Sequence, residues 1–150
     1  MYSLVDRPVA GLPNSGRFIL WAMRGWRYCQ ANHFDPKDRL SGAFEAMHAS
    51  DALEPFDEAM AGFDDIGYLD VAPMPQGMIS EEEAVLLSLW KSLFSDERDR
   101  VFSTLGLLSR DDESLAAIEF ALRQATSAFQ KAGLHFQIPA TPSIANGGKA

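Results

Sequence analysis

Apolar residues recur at alternating intervals of three and four along most of the chain, the spacing of one helical face. Leu115, Ile118, Leu122, Ala125 and Phe129 show it best and predict a helix from about Asp112 to Ala132 with a single buried seam. Ala121, Ala128 and Ala132 widen that seam with small side chains, so a neighbour can approach closely. Lys131-Ala132-Gly133-Leu134 reads as its stop: a cation in the last turn, a glycine past the cap and an apolar residue after it. Upstream, Ser80-Glu81-Glu82-Glu83 is a capping box, with Ser80 as N-cap and Glu83 three residues on. Its three carboxylates suit the positive end of a helix dipole. The helix body continues through Val85, Leu86, Leu89, Trp90, Leu93 and Phe94. A further helix is expected from Ser95 or Asp96, with Val101, Phe102 and Leu105 inward and Gly106 near its end.

The first half follows the same logic. Asn14 or Ser15 can cap a helix whose body runs from Arg17 to about Ala31. Asp35 as N-cap with Pro36 at the first helical position starts the next, whose buried stripe is Leu40, Ala43, Phe44 and Met47. Pro55 sits awkwardly in a helix begun at Ser50, so a start at Glu54 is expected, with Phe56, Met60 and Phe63 inward. Gly67, Pro73, Pro75 and Gly77 break the pattern, while Ile66, Leu69 and Val71 pin that segment to the core. A short strand at Tyr68–Val71 has no obvious partner. The expectation is therefore all-α: one compact bundle of five to six helices over residues 1–136. Residues 1–13, with Pro8, Gly11 and Pro13, form an extended arm, an irregular Pro/Gly connection covers residues 64–79, and residues 137–150 form a flexible tail.

Composition narrows the function classes. The net charge is −8 over 150 residues, which argues against nucleic acid and anionic membrane as partners, since both need a basic face. The charge is uneven: residues 1–40 hold six cations against three carboxylates, so the remainder carries −11. Cys29 is the sole cysteine, which rules out an intrachain disulfide and suits a reducing compartment. The N-terminus has no basic stretch leading into an apolar one, so no signal peptide is expected. The longest apolar run, Phe18–Met23, is far short of the ~20 residues of a membrane span. A cytoplasmic protein is the expectation.

The first helix is the most unusual. On a helical projection Arg17, Leu20, Arg24 and Arg27 fall on one side, and Phe18, Ile19, Ala22, Gly25, Trp26, Cys29 and His33 cover the other. Trp21 and Met23 flank the basic stripe. Such a helix is largely surrounded, and its arginines must reach water, carboxylates or a ligand, because an unpaired buried charge is very costly. Gly25 implies room for a crossing helix, with the Ala121/Ala128 face as candidate. Three readings compete: arginines paired with the protein's own acidic remainder, a homodimer interface built on Arg17, Trp21, Arg24, Trp26 and Arg27, or a site for a small anionic ligand beside Arg24 and Arg27.

Catalytic chemistry is sparse. His33, His48 and His135 are far apart and lack metal-ligand spacing, so no metal and no cofactor is expected. Cys29 and His33 are four residues apart and are the one pair with a nucleophile and a base; a satisfied, partly buried His33 and an inert Cys29 are the plainer expectation. Asp64-Asp65 lacks the alternating oxygens of a calcium loop, and Glu81–Glu83 and Asp111-Asp112-Glu113 are explained as helix starts.

Gly16-Arg17 leading to Arg24, then Val71-Ala72-Pro73, Met78-Ile79-Ser80-Glu81-Glu82-Glu83-Ala84, Leu105-Gly106 and Gly133-Leu134 form an ordered set over Gly16–Leu134. In that order the chain resembles an uncharacterised family of small helical proteins from alphaproteobacteria, a domain of unknown function. Where such proteins carry cysteines after the Ala-Pro, this chain has Met74, Pro75 and Gln76. The resemblance implies a single helical domain and no activity. The leading expectation is a non-enzymatic helical interaction or regulatory protein that self-associates. A bundle binding a small anionic ligand near Arg24 and Arg27 comes second, and a thiol enzyme using Cys29 and His33 third.

Overall fold

The computed structural model describes residues 8–69, 71–73 and 76–136. Within them lie six α-helices and no strand: α1 (Asn14–Ala31), α2 (Pro36–Ala46), α3 (Ser50–Asp65), α4 (Glu81–Phe94), α5 (Arg98–Leu108) and α6 (Asp112–Lys131). They form a compact all-α bundle. One hydrophobic core draws on all six helices. At its centre four rings pack in a cycle, Phe44 on Phe56 (centroids 5.4 Å apart), Phe56 on Trp90 (6.1 Å), Trp90 on Phe129 (6.0 Å) and Phe129 on Phe44 (5.9 Å). All four are fully buried. Trp90 meets Phe129 edge to face (73°) and stacks on Phe56 (19°), and both arrangements add to burial.

The helix starts obey local rules. Asp35 accepts the Lys37 backbone N–H, with Pro36 in the first turn. Ser80 and Glu83 complete the reciprocal capping box. Asp111 caps α6 by accepting from Glu113 N. Asn14 and Ser15, expected as caps of α1, lie inside its first turn instead, behind Pro13, and no side chain caps this helix. Asn14 accepts from Arg17, and the Ser15 hydroxyl donates to the His135 carbonyl, tying the start of α1 to the segment after α6.

Three boundaries differ from expectation. Helix α3 begins at Ser50 and runs through Pro55. The proline deletes one hydrogen bond to the Asp51 carbonyl near the helix start, and Asp51 is exposed, so water can take that bond. Burial of Ala49 and Ala52 anchors the turn. At its other end α3 includes Asp64 and Asp65, so the irregular connection starts later than expected. Helix α5 begins at Arg98, because Ser95, Asp96 and Glu97 are used to close α4. Phe102, expected inward, is 75% exposed.

Five of the six helices end in the same way. The N–H two residues beyond the cap bonds back to the carbonyl of the third-last helical residue: Phe34 to Cys29 (2.8 Å), Ala49 to Phe44 (2.8 Å), Tyr68 to Phe63 (2.9 Å), Glu97 to Ser92 (2.8 Å) and Leu134 to Phe129 (3.0 Å). This closure needs a left-handed residue after the cap. Glycine fills it at Gly67 and Gly133, but His33 (φ 62°), His48 (φ 58°) and Asp96 (φ 55°) fill it elsewhere.

The connection after α3 is irregular and held to the core by buried Leu69 and Ile79, with Ile66 and Val71 packed beside them. Tyr68, Leu69 and Val71 belong to no strand. The one β-type contact among the described residues is an antiparallel bridge from Pro8 to Met78, with Val9 N–H donating to Gly77 O at 2.8 Å. Of the expected arm, residues 8–13 are described; Val9–Gly11 form a single 3-10 turn and Leu12 is buried. Residues 1–7 of the arm, and the expected tail at 137–150, lie outside the described residues.

Candidate functional site

Arg17, Trp21 and Tyr28 share one face of α1 and are exposed. Arg24 lies on that same face by helical spacing, yet it is only 4% exposed. The chain around Gln76–Met78 and the start of α4 cover it. Its guanidinium pairs with Glu83 in a two-pronged contact, Nε to Oε2 at 2.7 Å and Nη2 to Oε1 at 2.8 Å. Nη1 donates to the Gln76 carbonyl at 2.6 Å and Nη2 to the Met78 carbonyl at 3.1 Å. Arginine suits this place because its planar fork can satisfy a carboxylate and backbone carbonyls at once.

Glu83 is fully buried and more than a cap. Besides Arg24 it accepts Ser80 N–H at 2.9 Å and Ala72 N–H at 2.8 Å. Burial by itself raises its pKa, but hydrogen bonds from Arg24, Ser80 and Ala72, with the arginine's charge, outweigh burial and hold the carboxyl below the ordinary glutamate value. One carboxylate thus fastens α1, the start of α4 and the connection between α3 and α4. The sequence marked Glu83 only as a capping residue. The further signal was an arginine flanked by Met23 and Gly25, both of which are buried.

The other expected site residues part company. Trp26 is buried and its indole N–H donates to Asp57 Oδ1 on α3 at 2.8 Å. Arg27 reaches Asp64 through one contact of 3.3 Å, with 44% of its side chain exposed. Trp21 is 39% exposed and stacks on Phe18, its ring centroid 6.1 Å away. Arg17 is exposed. The five residues therefore form no single basic and aromatic stripe: Trp26 and Arg24 face inward, and Arg17, Trp21 and Arg27 face outward at different levels. Gly25 does make room for a neighbour, but that neighbour is Leu40 of α2, 3.1 Å from where a Cβ would stand, and not the Ala121/Ala128 face. The close approach to α6 is made by Gly62 of α3, where a Cβ would lie 2.5 Å from Ile118 Cγ1.

Cys29 is buried, and burial pushes its thiol pKa up, so it stays protonated. His33, expected as partly buried on the apolar side, is exposed and left-handed just past the helix end. The i, i+4 relation of Cys29 and His33 fails because α1 stops before His33. Among the described residues no three His, Cys, Asp or Glu side chains gather to hold a metal ion, and no helix is long and apolar enough to cross a membrane.

Two surface features bear on function: a groove beside the arginines where a small-anion site was expected, and an exposed apolar set that the sequence did not show. A groove of about 520 Å³ lies beside Arg24 and Arg27, with Tyr28, Ala31 and Asn32 on one wall and Val71, Ala72 and Pro73 on the other. On the outer helices Phe102 and Leu107 of α5 and Phe120 of α6 are exposed by 75%, 77% and 65%. No family model, curated protein or solved structure matches the chain.

Proposed function

We propose that this chain is a non-enzymatic helical interaction protein that self-associates, and that α5 is central to the contact. The observation that carries the reading is the placing of Phe102 and Leu107, two large apolar side chains each about three-quarters exposed on one 11-residue helix. Single exposed apolar residues are ordinary; Phe102 and Leu107 lie about 140° apart around α5, so the partner in this reading covers two flanks of the helix, with Phe120 of α6 as a further exposed ring. Charge supports the same helix: α5 carries Arg98 and Arg100 against Asp99, while α3 carries six carboxylates and no cation. Two copies of a −8 protein repel, and α5 offers a contact free of excess negative charge. This reading puts the protein in the cytoplasm, where a lone thiol stays reduced.

Light scattering of the wild type and of the double variant Phe102→Ser, Leu107→Ser tests the reading. The wild type is expected as a dimer at micromolar concentration and the variant as a monomer with an unchanged circular dichroism spectrum. A variant that dimerises as well as the wild type would move the contact off α5.

A further inference from the structure

We propose that the groove between the C-terminal half of α1 and residues 71–73 binds a small monocarboxylate with an apolar body. This is independent of self-association through α5. At about 520 Å³ the groove has the size of a small-molecule site. Its walls are apolar, from Tyr28 and Ala31 on one side to Val71 and Pro73 on the other. The site is preformed, because Ala72 N–H is fixed to Glu83 at 2.8 Å and Arg24, on the floor, is fixed to the same carboxylate. A rigid apolar slot loses little ordering entropy when it is filled.

Arg27 supplies the polar end. Its single 3.3 Å contact with Asp64 leaves guanidinium donors that a second carboxylate can use, and nearly half of its side chain meets water. Arg24 cannot serve, because its guanidinium is turned to Glu83. The negative end of the α1 dipole lies at Ala31 and Asn32, so the ligand's carboxylate belongs at Arg27, with its apolar body running toward Ala31 and Pro73. The net charge of −8 and the nearby Asp64 favour a monoanion over a phosphate dianion.

Decanoate, decanol and decyl phosphate are the probes, titrated into the full chain and followed by NMR at the Ala31 and Val71 methyls and the Arg27 Nε–H. Decanoate is expected to give saturable shifts at those groups and to bind more tightly than the other two. Arg27→Gln, whose half-exposed ion pair contributes little to folding, should weaken decanoate about tenfold through loss of a charge-assisted contact and leave decanol unchanged. Ala31→Trp, at an exposed helical position, should fill the groove and abolish binding of all three. Absence of saturation, equal affinity of decanoate for the Arg27→Gln variant, undiminished binding to the Ala31→Trp variant, or shifts centred on Phe102 and Leu107 would each overturn the proposal.

Discussion

Glu83 concentrates more of this fold than any other side chain. Its two oxygens gather four donors, two from Arg24, 59 residues away, one from Ala72, 11 residues away, and one from Ser80 of its own capping box. Removing one partner of such a pair strands a buried charge, so Glu83→Ala is expected to lower unfolding free energy by about 3–5 kcal/mol in urea titrations. The pH dependence follows from the same contacts. The folded-state pKa of Glu83 is lowered, so its stabilisation is complete above the ordinary glutamate value of about 4.3 and is lost as pH falls through the folded value. Asp111 is shifted in the same direction by hydrogen bonds from Ser114 and Glu113 and adds to the acid limb. Urea midpoints measured from pH 7 down to pH 3 should therefore fall, and the fall should be shallower in a Glu83→Gln variant. None of this was visible in the helical projection of α1. A projection knows only its own helix, and it set Arg24 among solvent-facing residues. The cover arrives from Gln76–Met78, more than fifty residues further along.

Among the elements, the inward faces were the legible part. Phe44, Phe56, Trp90 and Phe129 fall on the predicted stripes and make the ring cycle of the core. Starts marked by Asp35-Pro36 and Ser80-Glu83 hold because their signals are local hydrogen bonds. Pro55 misled because tertiary burial of Ala49 and Ala52 outweighs one lost hydrogen bond. Phe102 misled because periodicity cannot say whether a third helix is present to cover it. The ends of α1 and α2 carry a cost that sequence spacing does not show, since His33 and His48 stand where glycine is unstrained. His48→Gly is expected to stabilise the fold by about 1 kcal/mol, read as a raised urea midpoint. Helical glycines should divide by their surroundings. Gly62→Ala drives a methyl into Ile118 and should cost about 1–3 kcal/mol. Gly42→Ala meets nothing within 4 Å and should stabilise α2 by about 0.5–1 kcal/mol. The same pair of urea titrations checks both signs.

For the whole molecule, folding uses the basic N-terminal segment only in part to neutralise the acidic remainder. Arg24 and Arg27 meet Glu83 and Asp64, but α3 keeps Asp51, Glu54, Glu58 and Asp65 in water. Outward charge is therefore strongly negative, and the proposed contact through Phe102 and Leu107 uses a helix, α5, that carries no excess of carboxylates. Apolar contact between like-charged bodies strengthens as salt shortens the range of their repulsion, from about 10 Å at 0.1 M to about 3 Å at 1 M. Sedimentation equilibrium of the wild-type chain across that salt range shows whether two copies associate through apolar contact. A monomer–dimer equilibrium in the micromolar range, shifting toward dimer as salt rises, is expected. A strict monomer at every concentration and salt would contradict it.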